Sequence, residues 1–292
     1  MKRQTRQRWV IFAFLSPWLI IFTIFNAFPI IYSFFTSFTE YSGLNPQMRF
    51  VGFDNYFKAF HDEVFLKALT NTLIFVVGTI PFTTGIALLL ALFLNSKKLR
   101  KNGIFKAGFF LPSVISMVVI STIWIYLYSS NGLFNTLGTF LGFKMEARSW
   151  LAEPKTALLS IMIMDIWAAF GYYLILIYAG LQNVPEQLYE AARIDGANNT
   201  QIAIKITLPY IRPTLFFVIA INTIRSFQIF SEIYTMTGGG PRNTTQTIVH
   251  YLYQVSFRQF DMGYGSAIAY ILLIMIMIVT LIQKYLLRSD RV

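Results

Sequence analysis

The sequence predicts an all-α polytopic membrane protein of six transmembrane helices, with a short polar helix-turn-helix between the fourth and the fifth. Three observations lead there. Hydrophobic residues make up 55% of the 292 and charged residues only 13%, where a soluble domain carries about 25% charged. Six apolar stretches reach the roughly 20 residues that a helix needs to cross a hydrocarbon core of about 30 Å. Lysine and arginine gather in alternate connections between those stretches, the bias that sets orientation in a bilayer.

The same composition excludes several classes. There is no cysteine, so disulfides and thiolate metal sites are absent. The two histidines, His61 and His250, lie in different candidate loops, which argues against a metal centre. The net charge of +11 does not indicate nucleic acid, because no basic run is interleaved with aromatics in a soluble segment.

In chain order the predicted spans are Val10–Tyr32, Leu69–Leu94, Phe105–Tyr128, Ala157–Leu181, Tyr210–Tyr234 and Ser266–Leu287. Pro17, Pro29, Pro81, Pro112 and Pro213 lie in or near them. Spanning helices tolerate proline because neighbouring groups satisfy the freed backbone. The first span is too long for a signal peptide and no small-residue cleavage site follows it. Fifteen positive residues fall on one side: Lys2, Arg3, Arg6, Arg8, Lys97, Lys98, Arg100, Lys101, Lys106, Arg193, Lys205, Arg212, Lys284, Arg288 and Arg291. Eight fall on the other: Arg49, Lys58, Lys67, Lys144, Arg148, Lys155, Arg242 and Arg258. This puts both termini, and the segment Glu190–Pro209, in the cytoplasm. No internal repeat indicates a duplicated half. Gly78 with Gly85, and Gly265 with Ala269, are small-residue pairs suited to close helix packing.

The segment "EAARIDGANNTQIAIKITLP" reads as two short helices. Pro185 suits a first turn and Glu186 complements the positive end of the helix dipole. Leu188, Ala191, Ala192 and Asp195 follow at spacings of three and four, and Gly196 is a stop. Asn198, Asn199 and Thr200 are candidate caps for a second helix carrying Ile202, Ile204, Ile206 and Leu208, which Pro209 ends. Neither piece is long enough to be stable alone in water. Such an element needs a partner to dock into, or the bilayer surface to rest on.

Its pattern, E-A-A, three residues, G, nine residues, I-x-L-P, resembles the loop of the membrane subunits of binding-protein-dependent ABC importers. "TGGGP" (Thr237–Pro241) and "FVGFDNYFKAF" (Phe50–Phe60) look like the subgroup of maltose/multiple-sugar and glycerol-3-phosphate permeases. The resemblance implies a type I ABC importer permease: one transmembrane domain over 1–292, its core about 69–287 and its coupling loop 184–209. It implies that Glu190 makes the ionic contact to a cytoplasmic ATP-binding subunit. Ala191 and Ala192 would form the close-packed face, and Gly196 the turn. ATP and Mg would sit on that partner, with no cofactor on this chain, which has no phosphate-binding G-x-x-x-x-G-K-[ST]. The other partners implied are a second homologous permease subunit, an extracytoplasmic solute-binding protein, a sugar and the lipid bilayer. The setting would be the inner or cell membrane of a bacterium or archaeon.

Ionisable groups inside spans call for a reason, since each costs roughly 2.5–3.5 kcal/mol on insertion scales. Asp165 lies in the fourth span. Asn222, Arg225, Gln228 or Ile229, and Glu232 form a polar stripe on the fifth. A continuous helix would separate Arg225 from Glu232 by about 10 Å, so they are not expected to pair, and Glu232 is expected to reach water. Two uses are open: interhelical bonding such as Arg225 with Asp165, or a water-filled cavity for a polar solute. The aromatic group Trp167, Phe170, Tyr172 and Tyr173 around Gly171 favours a sugar. The resemblance implies solute contacts at Gly171, Tyr172, Asn222, Arg225, Ser226 and Ile229, with Gln228 nearby. A neutral saccharide leads; glycerol-3-phosphate or another anionic solute is the alternative. A stand-alone ion-coupled transporter would explain the charges but leaves Glu190–Pro209 without a purpose. Asp165, Glu190 and Glu232 lie at different depths and make no acid/base pair, so no enzyme is read here.

Overall fold

A computed structural model describes residues 2–45, 47–96, 103–142 and 149–287. Of the residues behind the charge bias, Lys97, Lys98, Arg100, Lys101, Lys144, Arg148, Arg288 and Arg291 lie outside those described, as do the side chains of Lys2, Arg3, Arg6 and Arg8. The helices are α1 (Lys2–Phe22), α2 (Phe28–Thr36), α3 (Asp54–His61), α4 (Glu63–Leu94), α5 (Gly103–Phe110), α6 (Met117–Leu127) and α7 (Leu133–Phe140). They continue with α8 (Ala157–Gln182), α9 (Glu186–Ile194), α10 (Asn199–Ile202), α11 (Leu208–Tyr210), α12 (Arg212–Phe227), α13 (Ser231–Met236), α14 (Ile248–Tyr253) and α15 (Met262–Leu287). One antiparallel hairpin pairs β1 (Thr39–Tyr41) with β2 (Met48–Phe50). The chain divides into two compact units: residues up to Asp62 with Leu252–Ile271, and Glu63–Tyr251 with the residues from Leu272 on.

In the first unit, α1 and α2 join through a widened turn, Thr23–Ala27, into one apolar run, Ile11–Thr36. The hairpin that follows is held in register by Glu40 opposite Arg49, an exposed ion pair of 2.6 Å. The Asn55 side chain donates to the carbonyls of Ser37 and Thr39 at 3.0 and 2.9 Å, which ties α3 to the hairpin. Lys58 meets Asp261 at 2.9 Å, and the Tyr264 hydroxyl donates to Asp62 at 2.8 Å.

The second unit is built on α4 and α8, its most extensively packed pair. A Cβ on Gly78 would overlap the Met162 terminal methyl, so the small residue lets these helices touch; at Gly85 the space is open. Thr72, Thr79 and Thr83 donate their hydroxyls to carbonyls four residues back at 2.7–2.8 Å, so polar side chains within α4 are satisfied by their own helix. Two apolar clusters fill the unit. One gathers Phe75, Trp124, Tyr128, Ile161 and Met164; the other gathers Ala87, Leu94, Tyr173, Ile177 and Leu181.

Among the described residues, five helices are long and apolar enough to cross a membrane, or six if one bent pair counts as a span. That pair corrects the expectation of a straight third span. Gly103–Val114 and Met117–Leu127 meet at 92°. Pro112 lies in a tight 3₁₀ turn, and Ile115 and Ser116 are extended, with ψ of 142° and 130°. The fifth span is also interrupted: α12 stops at Phe227 and α13 resumes at Ser231. Several helices begin earlier than expected, at Lys2, Glu63 and Met262, because the helix continues beyond the apolar run.

Candidate functional site

The polar helix-turn-helix folds with its own stops and caps. Pro185 stands just before α9, with ψ of 133°, rather than inside its first turn, and Glu186 opens the helix. At the far end the Ala197 N–H bonds the Ala192 carbonyl at 2.9 Å and the Gly196 N–H bonds that of Arg193 at 3.1 Å. This closing motif needs a left-handed residue, and Gly196 has φ of 80°. Of the three candidate caps, Asn198 serves. Its Oδ1 accepts from the Gln201 N–H while Gln201 Oε1 accepts from the Asn198 N–H, both at 2.9 Å, a reciprocal capping box. Pro209 does not end the second helix. A widened π turn, Ala203–Thr207, precedes it, and helical structure runs on to Tyr210, since the wider turn accommodates a residue with no N–H to donate.

Glu190, Ala191 and Gly196 are exposed, whereas Ala192 is buried against the protein's own fold. The two alanines therefore face different ways. Leu188, Ile194 and Ile204 are also exposed, Ile194 at 85%. The two halves are held together by buried Ile202 and by Thr207, whose hydroxyl lies 3.4 Å from that of Tyr189.

A cavity of about 550 Å³ lies elsewhere in the same unit. Its walls are the Pro112–Met117 elbow of the bent pair, the Ala168–Tyr173 stretch of α8, and the end of α12 with its break. Of the seven residues expected at the solute, Tyr172, Arg225, Gln228 and Ile229 line it. Gly171, Asn222 and Ser226 do not. A Cβ on Gly171 would collide with the Phe109 carbonyl oxygen, so this glycine lets α5 touch α8. Asn222 and Ser226 belong to a buried polar ladder at the α4–α12 contact, bonded to Thr84, Thr79 and each other at 3.4 Å. Of the four aromatics, Tyr172 and Tyr173 reach the cavity. Trp167 packs on Trp124 and Phe170 on Phe109.

The charges converge here. Arg225 Nη2 lies 2.8 Å from Asp165 Oδ1 and 3.6 Å from Glu232 Oε1. The expected separation of Arg225 from Glu232 does not hold, because the interruption at Gln228–Phe230 breaks the regular helical spacing and the carboxylate lies 3.6 Å from the guanidinium. Glu232 is buried instead of reaching water. The Arg225 side chain stays 37% exposed, against 5% for Asp165 and 8% for Glu232. Tyr173 is 1% exposed, and its buried hydroxyl stands beside the Arg225 guanidinium. The sequence reading missed that hydroxyl as a site group, and it missed the elbow. Pro112 with Ser113 and Ser116 in an apolar run was a usable signal for the elbow; nothing local marks the hydroxyl.

The family model for the inner membrane component of binding-protein-dependent transport systems matches residues 56–291. The chain belongs to that family. The lactose transport system permease protein LacF of Rhizobium radiobacter is 34% identical, over 95% of this chain and 94% of its own. The arabinooligosaccharides transport system permease protein AraP of Bacillus subtilis is 36% identical, over 93% and 86%. Among solved structures, a bacterial ABC transporter involved in the import of the acidic polysaccharide alginate superposes with a TM-score of 0.85 at 25% identity, covering 99% of both chains. The fold is that of a type I ABC importer permease, a non-catalytic membrane subunit. Membership in this family decides against the stand-alone ion-coupled transporter.

Proposed function

We propose that this chain is one of two homologous permease subunits of an ATP-driven sugar importer in an inner or cell membrane, with both termini cytoplasmic. In this reading residues 1–292 are one transmembrane domain, with its core at about 69–287. A solute-binding protein outside delivers the sugar. Cytoplasmic ATP-binding subunits, which hold ATP and Mg, dock on the loop 184–209. The observation that carries the reading is the exposed, self-capped helix-turn-helix presenting Glu190 in a chain with no phosphate-binding loop. An element this short, with Leu188, Ile194 and Ile204 in the open, is complete only against a partner. Glu190 gives that partner an ionic contact, and Ala191 keeps the approach close.

The solute sits in the cavity lined by Tyr172, Tyr173, Arg225, Gln228 and Ile229. Aromatic faces and hydrogen-bond donors are the chemistry that holds a saccharide, and relatives named for lactose and arabinooligosaccharides support that class. Gly171, Asn222 and Ser226 act on the solute through packing, by fixing the helices that carry the wall.

The test is uptake in vesicles holding the assembled complex. Uptake of a disaccharide should need ATP inside and survive collapse of ion gradients. Uptake that persists without ATP, or recovery of the chain from native membranes with no ATP-binding subunit, would overturn the proposal.

A further inference from the structure

We propose that the cavity excludes anions: its solute is an uncharged or cationic sugar, and Arg225 is not an anion receptor. This rests on the reading of the cavity as the solute site and deepens it. A lone arginine in such a wall would invite a carboxylate or a phosphate. Here the arginine is already taken. Asp165 holds it at 2.8 Å and Glu232 flanks it at 3.6 Å. Arg225 is the only cation among the described residues that line the cavity. Two carboxylates against one guanidinium leave no uncompensated positive charge. The helix ends are mixed: α12 brings carbonyls at Gln228, while α6 and the short α13 bring N–H groups at Met117 and Ser231, the latter beside Glu232 itself.

The remaining groups suit hydroxyls. The exposed part of the guanidinium can donate to a neutral oxygen, and the Gln228 amide gives and accepts. The alginate importer that shares this fold takes an acidic polysaccharide; the cargo of this chain would differ from it in charge.

The absence of native cysteine permits a test independent of solute, binding protein and ATP. Ser113→Cys and Ser231→Cys each put one thiol on the cavity wall. In the purified complex, each is labelled with trimethylammonium-ethyl and with sulfonatoethyl methanethiosulfonate, and modification of this chain is read by mass. Rates are normalised to a cysteine on the exposed coupling element. The cationic reagent should be favoured in the cavity by roughly tenfold. Glu232→Gln should shrink that preference and Arg225→Gln enlarge it. Equal rates, an anionic preference, or a preference that ignores both substitutions would overturn the proposal. So would failure of every reagent to reach either thiol. Disaccharide uptake in the same complex tests the transport reading separately, so the two can fail apart.

Discussion

The coupling element and the cavity are built on opposite plans. The residues that Glu186–Tyr210 offers to a partner, Glu190 and Ala191, are exposed, and its stop and cap are closed by local bonds between residues at most five apart. The cavity buries its carboxylates, and Asp165 meets Arg225 from a distant part of the chain. A surface meant for another protein must keep its contacts free. A solute site in a membrane must instead pair its charges, because an unpaired ion in that setting is costly. Substitutions in the first region should therefore disturb transport alone, and those in the second should disturb stability as well.

The largest expected effect is in the cavity. Asp165→Asn leaves Arg225 with only the longer contact to Glu232. Breaking a buried pair costs about 3–5 kcal/mol, reduced here to about 2–4 kcal/mol because the guanidinium is partly exposed. Thermal unfolding of the solubilised chain should register that loss, and adding Arg225→Gln should restore part of it. Unchanged stability in the single variant would remove the contrast between the regions.

Next comes Gly196→Val in the coupling element. A branched residue at a φ of 80° is strained by roughly 1–2 kcal/mol, and the turn between α9 and α10 opens. Uptake should fall at least tenfold while membrane insertion and unfolding temperature stay near wild type. Equal uptake would detach this element from transport.

How much of this was legible follows the same division. The motif, the stop at Gly196 and the cap at Asn198 were readable because each depends on neighbours in sequence. The polar stripe on the fifth span was readable as a period, but the pairing of Arg225 with Glu232 was not. It depends on the break at Gln228–Phe230, where the chain shows neither proline nor glycine to mark it. The right-angled third span was missed because hydropathy averages over Pro112 and its serines. Gly171 resembled a solute contact, and only the approach of the Phe109 carbonyl shows what its missing side chain makes room for.

Tyr173→Phe sharpens the comparison, since it removes a buried hydroxyl that stands beside the Arg225 guanidinium. Stability should hold while the KM for sugar uptake rises roughly five- to tenfold, the worth of one hydrogen bond of about 1 kcal/mol. A fall in stability with unchanged KM would make the hydroxyl structural. The smallest effect is expected for Asn198→Ala, which removes half of the capping box and loosens α10 by about 1 kcal/mol or less. Hydrogen exchange should quicken at the start of α10 and leave α8 untouched.

The central claim is that motion driven by ATP on a partner enters at the exposed element and is felt at the buried cavity. The direct measurement is the labelling rate of Ser113→Cys in the assembled complex, with and without ATP trapped by vanadate, in the native loop and in Gly196→Val. The rate should change severalfold on trapping with the native loop and stay constant in the variant. A rate indifferent to ATP with the native loop, or an equal change in both, would contradict the account.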